Sequence, residues 1–365
     1  MLATARYDAI LAAVREHGVV RLADLVDRLG VTPVTVRRDV TRLADRGLVA
    51  RVHGGVAMPR RVARDHAPPR SVVGPISPGA IIGMAAPSVE YYWPKVIQGA
   101  QSAASAAGGR LLFRASSYDP TDDRAQITSL LDRGVQVVLA APNIEGKAGA
   151  DLLRWLGGLP VPVILLERQP PSDLETLPLD AVFTDHALGA GLAVRHLTTM
   201  GHRRIGLITT RPSVTSDALH VGWAHTMRAL DLEVDGVPDM DIPSYGAPGW
   251  VAHYDEVIDQ LVDAEVHGIV VHADREAIGI VQRAQERGLR IPEDLAVVSY
   301  DDEVAAACDP PLTALRPEKH RLGVLAADLA LARIADDPDR PVHRVTLWPS
   351  LVVRQSCGAR TNSKP

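Results

Sequence analysis

The chain has 365 residues, 46% hydrophobic and 23% charged, the composition of a globular protein with material for two or three domains. The absence of any run of about 18 apolar residues, of an apolar signal-peptide centre at the N-terminus and of cysteines beyond Cys308 and Cys357 excludes a spanning helix, a secretory leader and a disulfide or cysteine-rich zinc framework. Residues 1–61 hold 11 Arg against 6 Asp and Glu, +5, while the other 28 basic and 38 acidic residues give −10, which makes the −5 of the whole chain. A small basic module on a larger acidic body points to a nucleic-acid-binding head.

Ile10, Leu11 and Val14 recur at helical spacing before a stop at Gly18. Leu22 to Leu29 predicts a second short helix, closed by Gly30. Thr32 reads as the N-cap and Pro33 as the first residue of a third helix. Val36, Val40 and Leu43 give that helix an apolar stripe, with Thr35, Arg38 and Arg42 as a separate polar stripe. Gly47 ends it, and LVARVHGGVAM predicts two short strands around Gly54–Gly55 that carry Arg51 and His53. Helix, helix–turn–helix and hairpin is the layout of a winged helix-turn-helix, whose third helix can enter the major groove and offer Arg to guanine.

The segment from Arg6 to Ala57, above all VTPVTVRRDVTRLADRGLVARVHGGV, resembles the DeoR-type DNA-binding domain. The family pattern T-[IV]-R-R-D-[LI], then L-x-x-x-G, then R-x-H-G-G, stands at Thr35–Val40, Leu43–Gly47 and Arg51–Gly55. The resemblance implies a DNA-binding domain at 1–58 that meets a double-stranded operator. Its DNA-contacting residues are then Thr32, Thr35, Arg37, Arg38 and Arg42 of the recognition helix, with Arg51 and His53 of the wing. Asp39 is expected to pair with an arginine of the domain rather than face phosphate.

Residues 59–79 are rich in Pro and Arg without periodicity and read as a semi-extended linker. From Ala80 the apolar runs IIGMAA, RLLF, VQVVLAA, VPVILLE, DAVFT, RIGLITT, GIVVHA and LAVVSY are strand candidates. Amphipathic segments at 121–133, 187–200, 217–231 and 274–287 lie between them. This rhythm predicts an α/β body of parallel sheets flanked by helices, with ligands at the carboxyl ends of the strands. So many units favour two lobes facing a cleft over a single sheet. An eight-unit barrel is the competing fold, disfavoured by the strand-rich stretch Val342–Arg354.

The body resembles the effector-binding core of the LacI family, itself similar to periplasmic sugar-binding proteins. IIGMAAPSVEYYWPKVIQGAQ at 81–101, HLTTMGHRRIGLIT at 196–209, IPEDLAVVSYDD at 291–302 and LVVRQSC at 351–357 carry the resemblance. It implies an effector domain at 80–357, with lobe one at about 80–184 and 316–338, lobe two at about 185–315 and 339–357, and a tail at 358–365. It also implies three crossovers and a homodimer whose two heads read two half-sites. The chain would then be a hybrid, with a DeoR-type head in place of the LacI family's own.

A sugar site needs carboxylates and amides for hydroxyls and an aromatic plate for the C–H face. Tyr91, Tyr92 and Trp93 form an aromatic triplet after the first body strand. By resemblance, Tyr92, Trp93, Arg168, Asp185, Tyr245, Asp274 and Asp301 are effector-binding residues; Asp302, by its place before the next segment, reads as a helix cap. Two family positions depart from the pattern. Leu219 replaces the Arg that precedes the Gly222–Trp223 pair, with His220 or Asp217 as partial substitutes, and Ala273 replaces an Asn.

No paired carboxylates at glycosidase separation, complete phosphate loop or H-E-x-x-H is present, so no catalytic residue, metal or cofactor is expected. These features point to a cytoplasmic, sequence-specific transcription regulator without membrane contact, a sugar-responsive repressor of carbohydrate-use genes. Two alternatives stand beside it. One is a regulator that senses a nucleoside or purine. The other is a cytoplasmic sugar-binding module with a vestigial head.

Overall fold

The computed structural model describes residues 3–358 except 18, 46–48, 53–54, 58–78, 88–90, 118, 175, 211–212, 214 and 337–339. The chain divides into two units, Met1–Val72 and Val73–Pro365.

The head runs α1 (Ala3–His17), β1 (Val19–Arg21), α2 (Leu22–Leu29), α3 (Pro33–Asp45), β2 (Ala50–Val52) and β3 (Gly55–Ala57). Gly30 ends α2 in the left-handed region at φ 62°, where glycine carries no Cβ penalty. Ile10, Leu25, Val36, Val40, Leu43 and Val56 form its core. The hairpin has a third strand that the sequence left unread, because β1 is only three residues long. It pairs antiparallel with β3, giving the order β1-β3-β2. A Cβ on Gly55 would stand 2.6 Å from the Val20 carbonyl oxygen, so this register needs glycine there.

The body begins with β4 (Ile81–Ala86), α4 (Trp93–Ala106), β5 (Arg110–Ala115), α5 (Pro120–Leu131), β6 (Val137–Ala140), α6 (Gly146–Gly157), β7 (Val163–Leu166) and β8 (Asp180–Thr184). It continues with α7 (His186–Thr199), β9 (Ile205–Thr210), α8 (Ser216–Ala229), β10 (Asp239–Ile242), α9 (Trp250–Asp263), β11 (Gly268–Val271), α10 (Asp274–Glu286), β12 (Ala296–Tyr300) and β13 (Thr313–Arg316). The last elements are α11 (Lys319–Ala335), β14 (Arg344–Leu347) and β15 (Ser350–Val352).

Two six-stranded sheets result, ordered β14-β8-β7-β6-β4-β5 and β10-β9-β11-β12-β13-β15. All pairs are parallel except β13–β15. Within each lobe the first strand has the second on one side and the third on the other, so the winding reverses beside β4 and beside β9. Such switch points leave a crevice at the strands' carboxyl ends. Alternate residues of one strand serve opposite faces. On β6, Val137 and Leu139 pack toward α4 and α11, whereas Val138 and Ala140 join the layer of α5 and α6. Both faces are covered, which is why these strands read as unbroken apolar runs.

The expected lobe boundary near residue 339 is corrected. β14 pairs with β8, with Val345 opposite Val182, and so belongs to the first lobe's sheet. The chain passes to the second lobe only between β14 and β15. Among the described residues no helix is long and apolar enough to cross a membrane.

Candidate functional site

A cavity of about 650 Å³ opens where the carboxyl ends of the two sheets face each other. Tyr91, Tyr92 and Trp93 follow β4, Ser117 follows β5, Asn143 and Glu145 follow β6, and Glu167 and Arg168 follow β7. The second lobe adds His186, Thr210, Ser213, Thr215, Ser244, His272, Ala273 and Asp301. Tyr91, Glu167 and Asp301 have positive φ of 57°, 51° and 95°. Strained backbone of this kind collects at functional sites.

Asp301 is the central group. It is 6% exposed, and among the described residues no hydrogen bond reaches its carboxylate. Burial raises its pKa to about 7, although the nearby Lys319 ammonium favours the charged form. Lys319 is itself buried. It donates to the Asp301 carbonyl, pairs with Glu303 at 2.6 Å and stands over the Tyr92 ring at 5.2 Å.

Glu167 is an acceptor already in use. The Tyr92 hydroxyl donates to it, as do the Thr184 amide at 2.8 Å and the Thr184 hydroxyl at 2.7 Å. Burial works to raise its pKa, but the bonds from His186, Tyr92 and Thr184 prevail and hold it below the usual carboxylate value. His186 lies 3.3 Å from Glu167 through Nε2 and 2.6 Å from the Tyr300 hydroxyl through Nδ1. His272, at the end of β11, is driven down to about 3 by burial and by the neighbouring His186, so it enters the cavity as a neutral imidazole.

Of the expected effector residues, Tyr92, Trp93, Arg168 and Asp301 line the cavity. Trp93 meets Tyr92 edge-on at 5.5 Å. Arg168 is buried, donating to the carbonyls of Pro142 at 2.6 Å and Glu167 at 2.7 Å. The other three stand outside that lining. Asp185 caps α7 by accepting from the Leu188 amide at 2.8 Å. Asp274 accepts from Ser299 at 2.7 Å and from the amides of Glu303, Val304 and Ala305 at 2.6–3.2 Å, which fixes the loop behind Asp301. Tyr245 stacks on Trp250 at 4.5 Å against Gly279, outside the lining.

Asp302 is clamped by Arg316 and Arg354 rather than capping a helix. Leu219 lies in the second lobe's core. His220 does not replace the family's Arg there, because it binds Asp239 at 2.6 Å. Glu167, His186, Thr210, Ser244 and His272 are lining residues that motif matching missed. Their common signal is position at the carboxyl end of a strand: Thr210 ends β9, Glu167 and His272 directly follow β7 and β11, and His186 and Ser244 stand two residues after β8 and β10, the last of these a strand the sequence left unread.

In the head, the Thr32 hydroxyl accepts from the Thr35 amide at 3.3 Å and meets the Thr35 hydroxyl at 2.9 Å, forming the cap at the start of α3. Arg37 and Arg38 are exposed. Arg42 donates to the Tyr7 hydroxyl at 3.4 Å. Asp39 pairs with Arg6 at 2.7 Å, so the arginine partner comes from α1. His53 and the Arg51 side chain lie outside the described residues.

The comparisons with known proteins follow this division. A DeoR-like helix-turn-helix domain matches residues 6–62, and a periplasmic binding protein-like domain matches 194–357. The chain thus pairs a match to a DeoR-like head with a match to a periplasmic binding protein-like body. Among curated relatives of this hybrid, the HTH-type transcriptional regulator reg1 of Streptomyces lividans is 27% identical over 92% of this chain and 96% of its own. The HTH-type transcriptional repressor PurR of Haemophilus influenzae (strain PittEE) is 26% identical over 73% of this chain and 77% of its own. A solved LacI family regulator from Enterococcus faecium with bound ribose superposes with TM-score 0.60 at 22% identity, covering 76% of this chain and 98% of that one. That last likeness concerns the fold. The relatives are named as regulators.

Proposed function

We propose that the hybrid is a cytoplasmic transcription repressor of carbohydrate-use genes that binds operator DNA through its head and a neutral sugar in the body's cavity. The observation that carries the sugar reading is Asp301. A buried carboxylate that no described residue bonds, across from the edge-packed Tyr92 and Trp93, offers what hydroxyls and a C–H face require. Asp301, Glu145 and Glu167 line the cavity, so a phosphorylated sugar meets carboxylates there, while Arg168 donates through its Nε and Nη1 to the carbonyls of Pro142 and Glu167. A homodimer would let two heads read paired half-sites. The cavity residues act as binding groups rather than as a catalytic set.

Thermal unfolding against monosaccharides, disaccharides, sugar phosphates and nucleosides tests the reading. A ligand at about 100 times its dissociation constant stabilises the native state by about 2.7 kcal/mol. A neutral sugar is expected to raise the transition, with the same sugar changing operator affinity. A response confined to nucleosides replaces the sugar reading, and a response confined to sugar phosphates overturns the charge argument.

A further inference from the structure

The open face of α3 differs from the polar stripe of the sequence. Thr35 is drawn into the Thr32 cap and Arg42 reaches back to Tyr7. Val36, Asp39, Val40 and Leu43 are buried. On the first turns this leaves Val34, Arg37 and Arg38, spaced i, i+3 and i+4 on one outward face. Val34 is the second residue of the helix and is 71% exposed. Among the described residues, neither Arg37 nor Arg38 has a hydrogen-bond or ion-pair partner. A single exposed valine is ordinary on a protein surface. Val34 stands out because two unengaged guanidinium side chains flank it, at the helix end that addresses base edges in a helix-turn-helix.

We propose that Val34 reads sequence by packing its isopropyl group against the C5-methyl of a thymine in the major groove, between contacts made by Arg37 and Arg38. The proposal rests on the DNA-binding reading above. Valine can neither donate nor accept a hydrogen bond. The base feature it can select in that groove is therefore the thymine methyl. A β-branched side chain in a helix keeps one strongly preferred rotamer, so its methyls are held in place before DNA arrives.

The test uses the full chain. Duplexes selected from a random library give the half-site. Each thymine in it is then replaced by deoxyuridine, which lacks only the methyl. The expected result is one thymine per half-site whose replacement weakens wild-type binding about fourfold, the worth of one buried methyl. Val34→Ala should bind the thymine duplex about that much more weakly and show no difference between thymine and deoxyuridine. Its exposed position means the head's fold is kept, which the melting transition verifies. If no thymine methyl matters to the wild type, or if Val34→Ala keeps the discrimination, Val34 is not a reader. If no duplex is enriched, the DNA-binding reading falls and takes this proposal with it.

Discussion

Asp301 shows how one residue links burial, ionisation and ligand. Its folded pKa of about 7 lies well above the ordinary carboxylate value near 3.9. Between those values the native state holds a proton that the unfolded chain has released. Stability from this group is therefore full below about pH 4 and is lost as pH rises through 7. Chemical denaturation from pH 5 to 8 should show wild type losing stability relative to Asp301→Asn, by at most about tenfold in the unfolding constant per pH unit. Hydroxyls that donate to the carboxylate favour its charged form, so sugar binding should tighten as pH rises through 7. Asp301→Asn should bind far more weakly and without that pH dependence; calorimetry across pH decides it. The sequence made Asp301 legible because it follows an apolar strand, and the same signal picked out Asp185 and Asp274, which stand outside the cavity lining. A carboxylate at a strand end looks alike whether it faces a cavity or accepts from amides, and Asp274 finds its amides about thirty residues away.

At the scale of elements, periodicity revealed most helices and strands because both sheet faces are covered and the runs are long. β10 escaped it, being an edge strand of sequence DMDI, and β13 and β1 are too short to show a period. No local feature told which sheet β14 joins, since pairing with β8 is a choice between distant partners. The crossing of α4 and α11 was equally invisible. A Cβ on Gly99 would stand 2.0 Å from the His320 carbonyl oxygen, and one on Gly323 2.0 Å from that of Val96. These obstacles are backbone and cannot rotate away. Gly323→Ala should force the helices apart and destabilise the body by about 1–3 kcal/mol. Gly201→Ala is no control, being strained by its φ of 100°. Ala103→Gly on α4 tests helix propensity without crowding, and should destabilise the body by about 1 kcal/mol. A Gly323→Ala chain as stable as wild type, or more stable as propensity alone would make it, would remove the close-contact argument.

For the whole molecule, the consequence lies in charges that span the cleft. Lys319 starts α11 on the first lobe, yet its ammonium contacts the Asp301 carbonyl and the Glu303 carboxylate on the second. Lys95 of α4 reaches Glu303 as well, at 2.9 Å, but is half exposed. The first lobe thereby helps set the ionisation of the second lobe's carboxylate. Lys319→Met should raise the pKa of Asp301 and move the midpoint of sugar binding above pH 7. Lys95→Ala, removing an exposed pair worth at most about 1 kcal/mol, should leave it nearly in place. If sugar binding selects one lobe arrangement and that arrangement alters operator affinity by some factor, linkage requires DNA to alter sugar affinity by the same factor. Titrations of sugar with and without operator, and of operator with and without sugar, should return one factor in wild type. Lys319→Met should lower both by the same amount if the cleft-spanning contacts carry the coupling. A variant that binds sugar weakly but keeps the full factor would show that Lys319 serves the ligand alone.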